Sequence, residues 1–489
     1  MRKRWWTPVV VVLSLGLSTQ GALAATGFTT RVSPSTQTTA TEPSVAVDRA
    51  DGTIYVAWQA SGSHVARSDD GGRTFIQTPL ADLFGSDIGD VDVRVGGPTP
   101  CAAPTATCLS GTHRVYVSSI ERLPLPLQTH LFVSDDRGAH WTDNFIAATN
   151  PSLIDRPWLA VFPSKASATH DQVYIAYHDF TVSQISVATS NNGGATFGPS
   201  IDVETSNPPA FVGSFCNSVP SDIEVDPQTG DVYVQWITAD PTQNSQGCNV
   251  TQNQSFHHVL IAHSGPGGLL WDVHTVFDGP ANTNTDEIFA TLAVDDSGVS
   301  GTAGNVYSVF PDNLKNVNGI PEYDIWFSHS STKGVGWSTP VQVNNDGGTN
   351  FFPWIAAGTS GRVDFTYLHS PDLVPSDTAL SPWYTKFAQT TDGTDAVPKF
   401  GVTSASSGIM HVGGICTNGI FCSLTGGNRD LADSISIAVD RGGSAALAWT
   451  DQGNVLHGPT GITYGCLTAQ QTAVVGANQG LSCKGPAGP

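Results

Sequence analysis

The sequence predicts an all-β fold: a β-propeller of four-stranded blades, seven of them with six as the alternative count, closed by an N-terminal strand in the last blade. Three observations carry this. One turn-like stretch recurs along the chain, each copy is flanked by strand-like runs in a constant order, and the composition disfavours helix. Only 13% of the 489 residues are charged, while the chain holds 51 Gly and 31 Pro. Such a chain makes short strands and many turns, and no run shows a convincing helical period.

The recurring stretch is Ser68-Asp69-Asp70-Gly71-Gly72-Arg73-Thr74-Phe75, repeated as Ser134 to Trp141 and Ser190 to Phe197. Asp70, Asp136 and Asn192 occupy its third position. Their side chains suit a tight hairpin because they accept backbone N–H bonds, and the glycines supply positive φ. The terminal aromatic is free to bury against a neighbouring unit. Copies at intervals of roughly 60 residues are the mark of a repeat architecture.

Each copy follows two apolar, alternating runs. The seven units open with first strands around Glu42–Asp48, Asp90–Val95, Asp155–Val161, Pro220–Asp226, Phe289–Asp295, Phe352–Ala357 and Asp433–Asp440. Their second strands are around Thr53–Trp58, His113–Val117, Val173–Tyr177, Asp231–Trp236, Asn305–Phe310, Arg362–Tyr367 and Ala445–Trp449. Weaker boxes follow at Ser264–Trp271, Ser328–Trp337 and Thr390–Gly393, with a remnant at His457–Gly461. A fourth strand follows each box, as in Gly198–Val203 and Ser338–Val343. Four strands per unit over seven units make a propeller. The last unit lacks a fourth strand, and Phe28–Ser33 fits that vacancy, which would leave no long edge exposed.

Met1-Arg2-Lys3-Arg4, the apolar run Val9–Leu17 and Ala22-Leu23-Ala24 read as a secretory signal peptide over residues 1–24. The apolar run is too short to span a bilayer, and no later stretch is long enough. The organisation is therefore a signal peptide (1–24), a propeller (25–465) and an irregular C-terminal tail (466–489), in an extracellular, monomeric protein. The formal charge is −21, which excludes the basic footprint that nucleic acid needs. The eight cysteines fall as sequence neighbours: Cys101 and Cys108, Cys216 and Cys248, Cys416 and Cys422, Cys466 and Cys483. An even count in a secreted chain suggests disulfides. Nearest-neighbour pairing is the simplest arrangement, and other connectivities stay open.

The repeated stretches resemble the Asp-boxes, or bacterial neuraminidase repeats, of the sialidase superfamily, and the likeness covers nearly the whole mature chain. The resemblance implies that the boxes are structural hairpins on the face opposite the substrate site, and that the ligand class is extracellular glycan or glycoprotein. It also implies, for a sialidase, three arginines on the substrate carboxylate and a Tyr nucleophile with acidic partners. The family's aromatic-Arg-Ile-Pro motif before the first blade is replaced here by Thr41-Glu42-Pro43-Ser44. Arg122, Arg156 and Arg429 map to the loop-rich face and could substitute, with Tyr177 and Asp179 as catalytic partners. The alternative is that each arginine pairs with a neighbouring acid.

The same face carries the starts of the first strands, where Glu42, Asp90, Asp155, Asp222, Glu287 and Asp433 form a candidate ligand-binding ring. Longer inserts join second to third strands there, at Glu121–Gln128, His178–Ser183, Ala239–His258, Pro311–Asp324 and His369–Ser381. Long loops on one face of a rigid scaffold usually carry binding. No cofactor is required. Asp48, Asp226, Asp295 and Asp440 precede Gly-containing turns that loosely resemble calcium loops, so a structural calcium ion is the metal left open, against ordinary Asp-Gly turns. Two functions follow: a propeller that binds extracellular glycan or protein without standard sialidase chemistry, or an exo-sialidase or related glycoside hydrolase with a rearranged arginine set.

Overall fold

A computed structural model describes residues 26–468 apart from 81–86, 102, 124, 148–152, 165–169, 215–219, 240–255, 286–288, 296–303, 359–360, 418–421, 423–425 and 441–443. The expected signal peptide, the tail beyond Thr468, Glu287, Cys216, Cys248 and Cys483 lie outside the described residues. Seven antiparallel sheets form the blades of a β-propeller. Blade 1 holds Thr41–Val47, Ile54–Gln59, Ser63–Ser68 and Ile76–Gln77; blade 2 holds Asp87–Pro98, His113–Glu121, Gln128–Ser134 and Thr142–Asn144. Blade 3 holds Ile154–Phe162, Gln172–Asp179, Gln184–Ser190 and Ile201–Asp202; blade 4 holds Pro220–Val225, Val232–Ala239, Phe256–Ser264 and Trp271–Asp278. Blade 5 holds Thr291–Val294, Val306–Val317, Ile320–Ser330 and Val341–Gln342; blade 6 holds Thr349–Ala357, Val363–Ser370, Pro382–Thr390 and Gly401–Ser404. In blade 6 the short strand His411–Val412 also pairs with the third strand.

Blade 7 combines Ser436–Val439, Ala445–Asp451 and Gly461–Thr468 with the N-terminal strand Thr26–Arg31, in register from Thr26↔Thr468 to Arg31↔Thr463. The expected closure through the termini is therefore present. The strand Gly461–Thr468 runs through Cys466, past the boundary drawn at 465. His457–Gly461 is consequently the turn between second and third strands, not a remnant box. In blade 5 the box begins at Ser330 without extra residues, because Gly334 N donates to Ser330 Oγ at 3.0 Å. The stretch Pro311–Asp324, expected as an irregular insert, continues both strands as a long hairpin.

First strands of successive blades contact one another in a closed ring about the axis. One register position stitches the ring together. Val45 N donates to Ser436 Oγ (3.1 Å), Val93 N to Ser44 Oγ (3.2 Å), Leu159 N to Asp92 (2.9 Å) and Leu292 N to Asp222 (3.2 Å). The Trp158 indole donates to Pro220 O at 2.7 Å. Each bond ties one blade to the next, so sheets that twist apart stay in register at the axis. One step beyond this level, the second strands carry Trp58, Tyr177, Trp236, Phe310, Tyr367 and Trp449, all 0–1% exposed. Cutting such an aromatic to Ala costs about 3–5 kcal/mol.

The repeated hairpins close the opposite face. Asp70 Oδ1 accepts from Thr74 N (2.9 Å) and Ser68 Oγ (2.8 Å), and Ser68 Oγ accepts from Gly72 N (2.8 Å). Asp136 does the same with His140 N (2.8 Å), and Asn192 with Thr196 N (2.9 Å). Gly72 and Gly194 hold φ of 87° and 81°, which side chains rarely tolerate. Cys101–Cys108 and Cys416–Cys422 are disulfides.

Candidate functional site

The mouth of the axis, on the face of the first-strand starts, is built by a backbone irregularity. Register shifts interrupt first strands at Thr41/Ser44, Gly89/Asp92, Asp155/Trp158 and Phe351/Trp354. At equivalent places within them Glu42, Asp90, Arg156 and Phe352 take φ of 51–56°. A left-handed conformation at a non-glycine residue costs of order 1–3 kcal/mol, and bulges re-aim side chains at barrel and propeller rims. Three of these four strained positions carry ionisable side chains, Glu42, Asp90 and Arg156, and all three converge.

Arg156 is the hub, with its side chain 7% exposed. Its Nη1 lies 3.3 Å from Asp90 Oδ1, and its Nη2 reaches Glu42 Oε1 at 3.5 Å and also Asp433 Oδ2. Arg429 binds both oxygens of Asp433, sharing Oδ2 with Arg156, and donates to Cys416 O at 3.4 Å. Asp433 N donates to Glu42 Oε1 at 3.2 Å. The Arg156 guanidinium also lies 5.1 Å from the ring centre of Phe289, a cation–π contact. The cluster thereby joins blades 1, 2, 3 and 7.

Burial sets its protonation. Burial, opposed by Arg156 and reinforced by the charges of Asp90 and Asp433, pushes Glu42 well above the usual carboxylate range. Burial and the Asp90 charge raise Asp155 to about 7. Burial alone would raise Asp90 too, but Arg156 and hydrogen bonds with Glu42 and Asp155 outweigh it and hold Asp90 below its ordinary value. Both shifts favour the protonated carboxyl, which lessens the negative charge crowded around Arg156. The shallow recess above it is lined by Glu42, Asp90, Val91, Arg156, Pro157, Trp158 and Ser434.

The other expected site residues are dispersed. Arg122 is exposed where the second strand of blade 2 leaves the sheet, and no contact joins it to the cluster among the described residues. Tyr177 is fully buried beside Ile120, Ile154 and Leu159, in the core between blades 2 and 3. Asp179 caps its own turn, accepting from Thr181 N at 2.8 Å. Asp222 lies deeper along the axis, 3.7 Å from Arg94 Nη2, where Arg94 also meets Asp92 at 2.7 Å and Glu224 at 3.5 Å. Asp92, Arg94 and Glu224 went unnoticed as an axial group. Their signal was charge at alternate positions of otherwise apolar first strands.

Trp158 and Trp354 are buried and tilted against each other at 5.2 Å between ring centres, so they are core. Around the mouth, connections between second and third strands expose apolar side chains: Leu123 and Leu125, Phe180 and Val182, Ile320, Leu380, and Val455 and Leu456, from 42% to 82% exposed. Asp48 and Asp226, once compared with calcium loops, accept backbone N–H groups of their own turns at 2.9 and 2.8 Å.

No protein-family model matches the chain, and no curated protein matches it. Among solved structures it is similar to a protein of unknown function from Dyadobacter fermentans, with 12% identity and a TM-score of 0.46, covering 91% of this chain and 99% of that one. It is similar to the Hadza microbial sialidase Hz136 at 13% identity and a TM-score of 0.41, over 86% and 74% of the two chains. It is also similar to an α-L-arabinanase of Penicillium chrysogenum at 11% identity and a TM-score of 0.43, over 92% and 99%. These likenesses are of fold.

Proposed function

We propose that the protein is an extracellular propeller that binds a glycan-bearing or protein ligand through its loop-rich face, and that its axial mouth is not a sialidase centre. One observation carries this reading: the guanidiniums of Arg156 and Arg429 are already taken by Glu42, Asp90 and Asp433. An arginine saturated by internal carboxylates has no fork left for a substrate carboxylate. The exposed apolar loop tips around the mouth supply a rim suited to docking, and the disulfides are compatible with an oxidising compartment. Binding is tested on a glycan array and a panel of extracellular glycoproteins, with Leu125→Asp and Leu380→Asp as rim variants. Retained ligand that these variants release supports the reading; binding unaffected by both, yet lost on Asp90→Asn, would move the ligand to the axis.

A second reading is favoured by the divergent acids. Asp155, raised to about 7, and Asp90, held below its ordinary value, are neighbouring carboxyl groups pushed apart in proton affinity by their surroundings, as an acid and a base require. Turnover of a neutral aryl glycoside that falls with Asp155→Asn, and whose alkaline limb near neutrality is lost in that variant, would support it.

A further inference from the structure

We infer that His257, His258 and Asp278, at the outer edge of blade 4 on the loop-rich face, form a binding site for a divalent transition ion of the zinc type. Neighbouring residues of a strand normally point to opposite faces. Here the pairing of the second and third strands passes from Thr238↔His258 to Ala239↔Phe256. His257 is thus the extra residue of a bulge, the device that re-aims a side chain. The two imidazoles consequently lie close, with ring centres 4.0 Å apart.

The carboxylate comes from the next strand. His258 and Asp278 are directly opposed partners in the ladder, and His258 Nδ1 lies 2.9 Å from Asp278 Oδ1. One ligand atom from each of the three residues falls within 4.8 Å of the others. His257 is 3% exposed and its carbonyl accepts Gly279 N at 2.8 Å, so one imidazole is fixed by the fold. Asp278 is 72% exposed and can close the small remaining distance. An ion would take the place of the hydrogen now held between His258 and Asp278. Two imidazoles and one carboxylate suit zinc, copper or nickel better than calcium or magnesium, which prefer all-oxygen shells. Three protein ligands on a surface leave a coordination position for water or for an incoming ligand atom.

The test uses untagged mature protein and zinc alone, by isothermal titration. We expect one zinc per chain, and at least 10-fold weaker binding in His258→Ala and in the exposed change Asp278→Asn, both of which leave the buried His257 in place. Copper loaded at the same stoichiometry should show electron-paramagnetic coupling to two nitrogens, reduced to one in His258→Ala. Absence of stoichiometric zinc, or binding unchanged in both variants while their circular dichroism stays native, would overturn the site and leave an ordinary cross-strand ion pair.

Discussion

The two faces of the propeller use the same residue type in opposite ways. On the hairpin face, Asp70 answers groups within four residues of itself, and hydrogen bonds from Thr74, Ser68 and Arg73 outweigh burial to hold it below its ordinary range. On the mouth face, Glu42 and Asp433 meet Arg156 across 114 and 277 residues of sequence, and burial drives Glu42 upward. Local acids are cheap to ionise because their own turn solvates them. Long-range acids are buried between blades, and they hold charge only where a guanidinium is shared.

Breaking each face should expose the contrast. The largest effect is expected from Arg156→Ala. It strands several buried carboxyl groups and should cost about 3–5 kcal/mol in denaturant unfolding at pH 7. A loss below about 1 kcal/mol would mean that the cluster is already solvated.

Next comes pH. Asp155 keeps its proton to about pH 7 in the fold but only to about 3.9 when unfolded. Its contribution is therefore full below about pH 4 and is lost as the pH rises towards 7. Glu42 works in the same direction. Asp90, whose folded value is lowered, works in the opposite one, its contribution being lost as pH falls below the ordinary carboxylate range. Asp155→Asn should match the parent at pH 4 and exceed it at pH 8 by on the order of 2 kcal/mol, read from paired unfolding curves. A variant less stable at both pH values would contradict a protonated Asp155.

Smaller again, Asp136→Ala removes one turn's acceptor and should cost about 1–2 kcal/mol in denaturant unfolding. The smallest is Arg122→Ala, expected within about 0.5 kcal/mol of the parent in stability, since Arg122 is exposed and apart from the cluster.

This asymmetry also explains what the sequence disclosed. Ser68 to Phe75 and its copies are legible because the bonds of Asp70, Asp136 and Asn192 that shape the turn are local and Gly72 and Gly194 are required by φ. The blade order and the closure by Thr26–Arg31 followed from counting strands. Arg156 and Arg429 were legible as candidates, but not as partners of one carboxylate, since Asp433 lies four residues from Arg429 yet 277 from Arg156 and meets the latter only once the ring is closed. Arg122 misled because its place at a strand end says nothing about whether the loop turns inward. Bulges at Glu42 and Arg156 have no glycine to announce them, and only Gly89 flags the one at Asp90. The bulge at His257 was hidden likewise, inside a stretch expected to be loop.

The most direct measurement is release from a fluorogenic sialoside by purified, folded protein, alongside Arg429→Ala. With both arginines occupied by internal carboxylates, no release above buffer is expected from either. Release by the parent that disappears in Arg429→Ala would contradict this, because the guanidinium would then be open to the substrate's carboxylate.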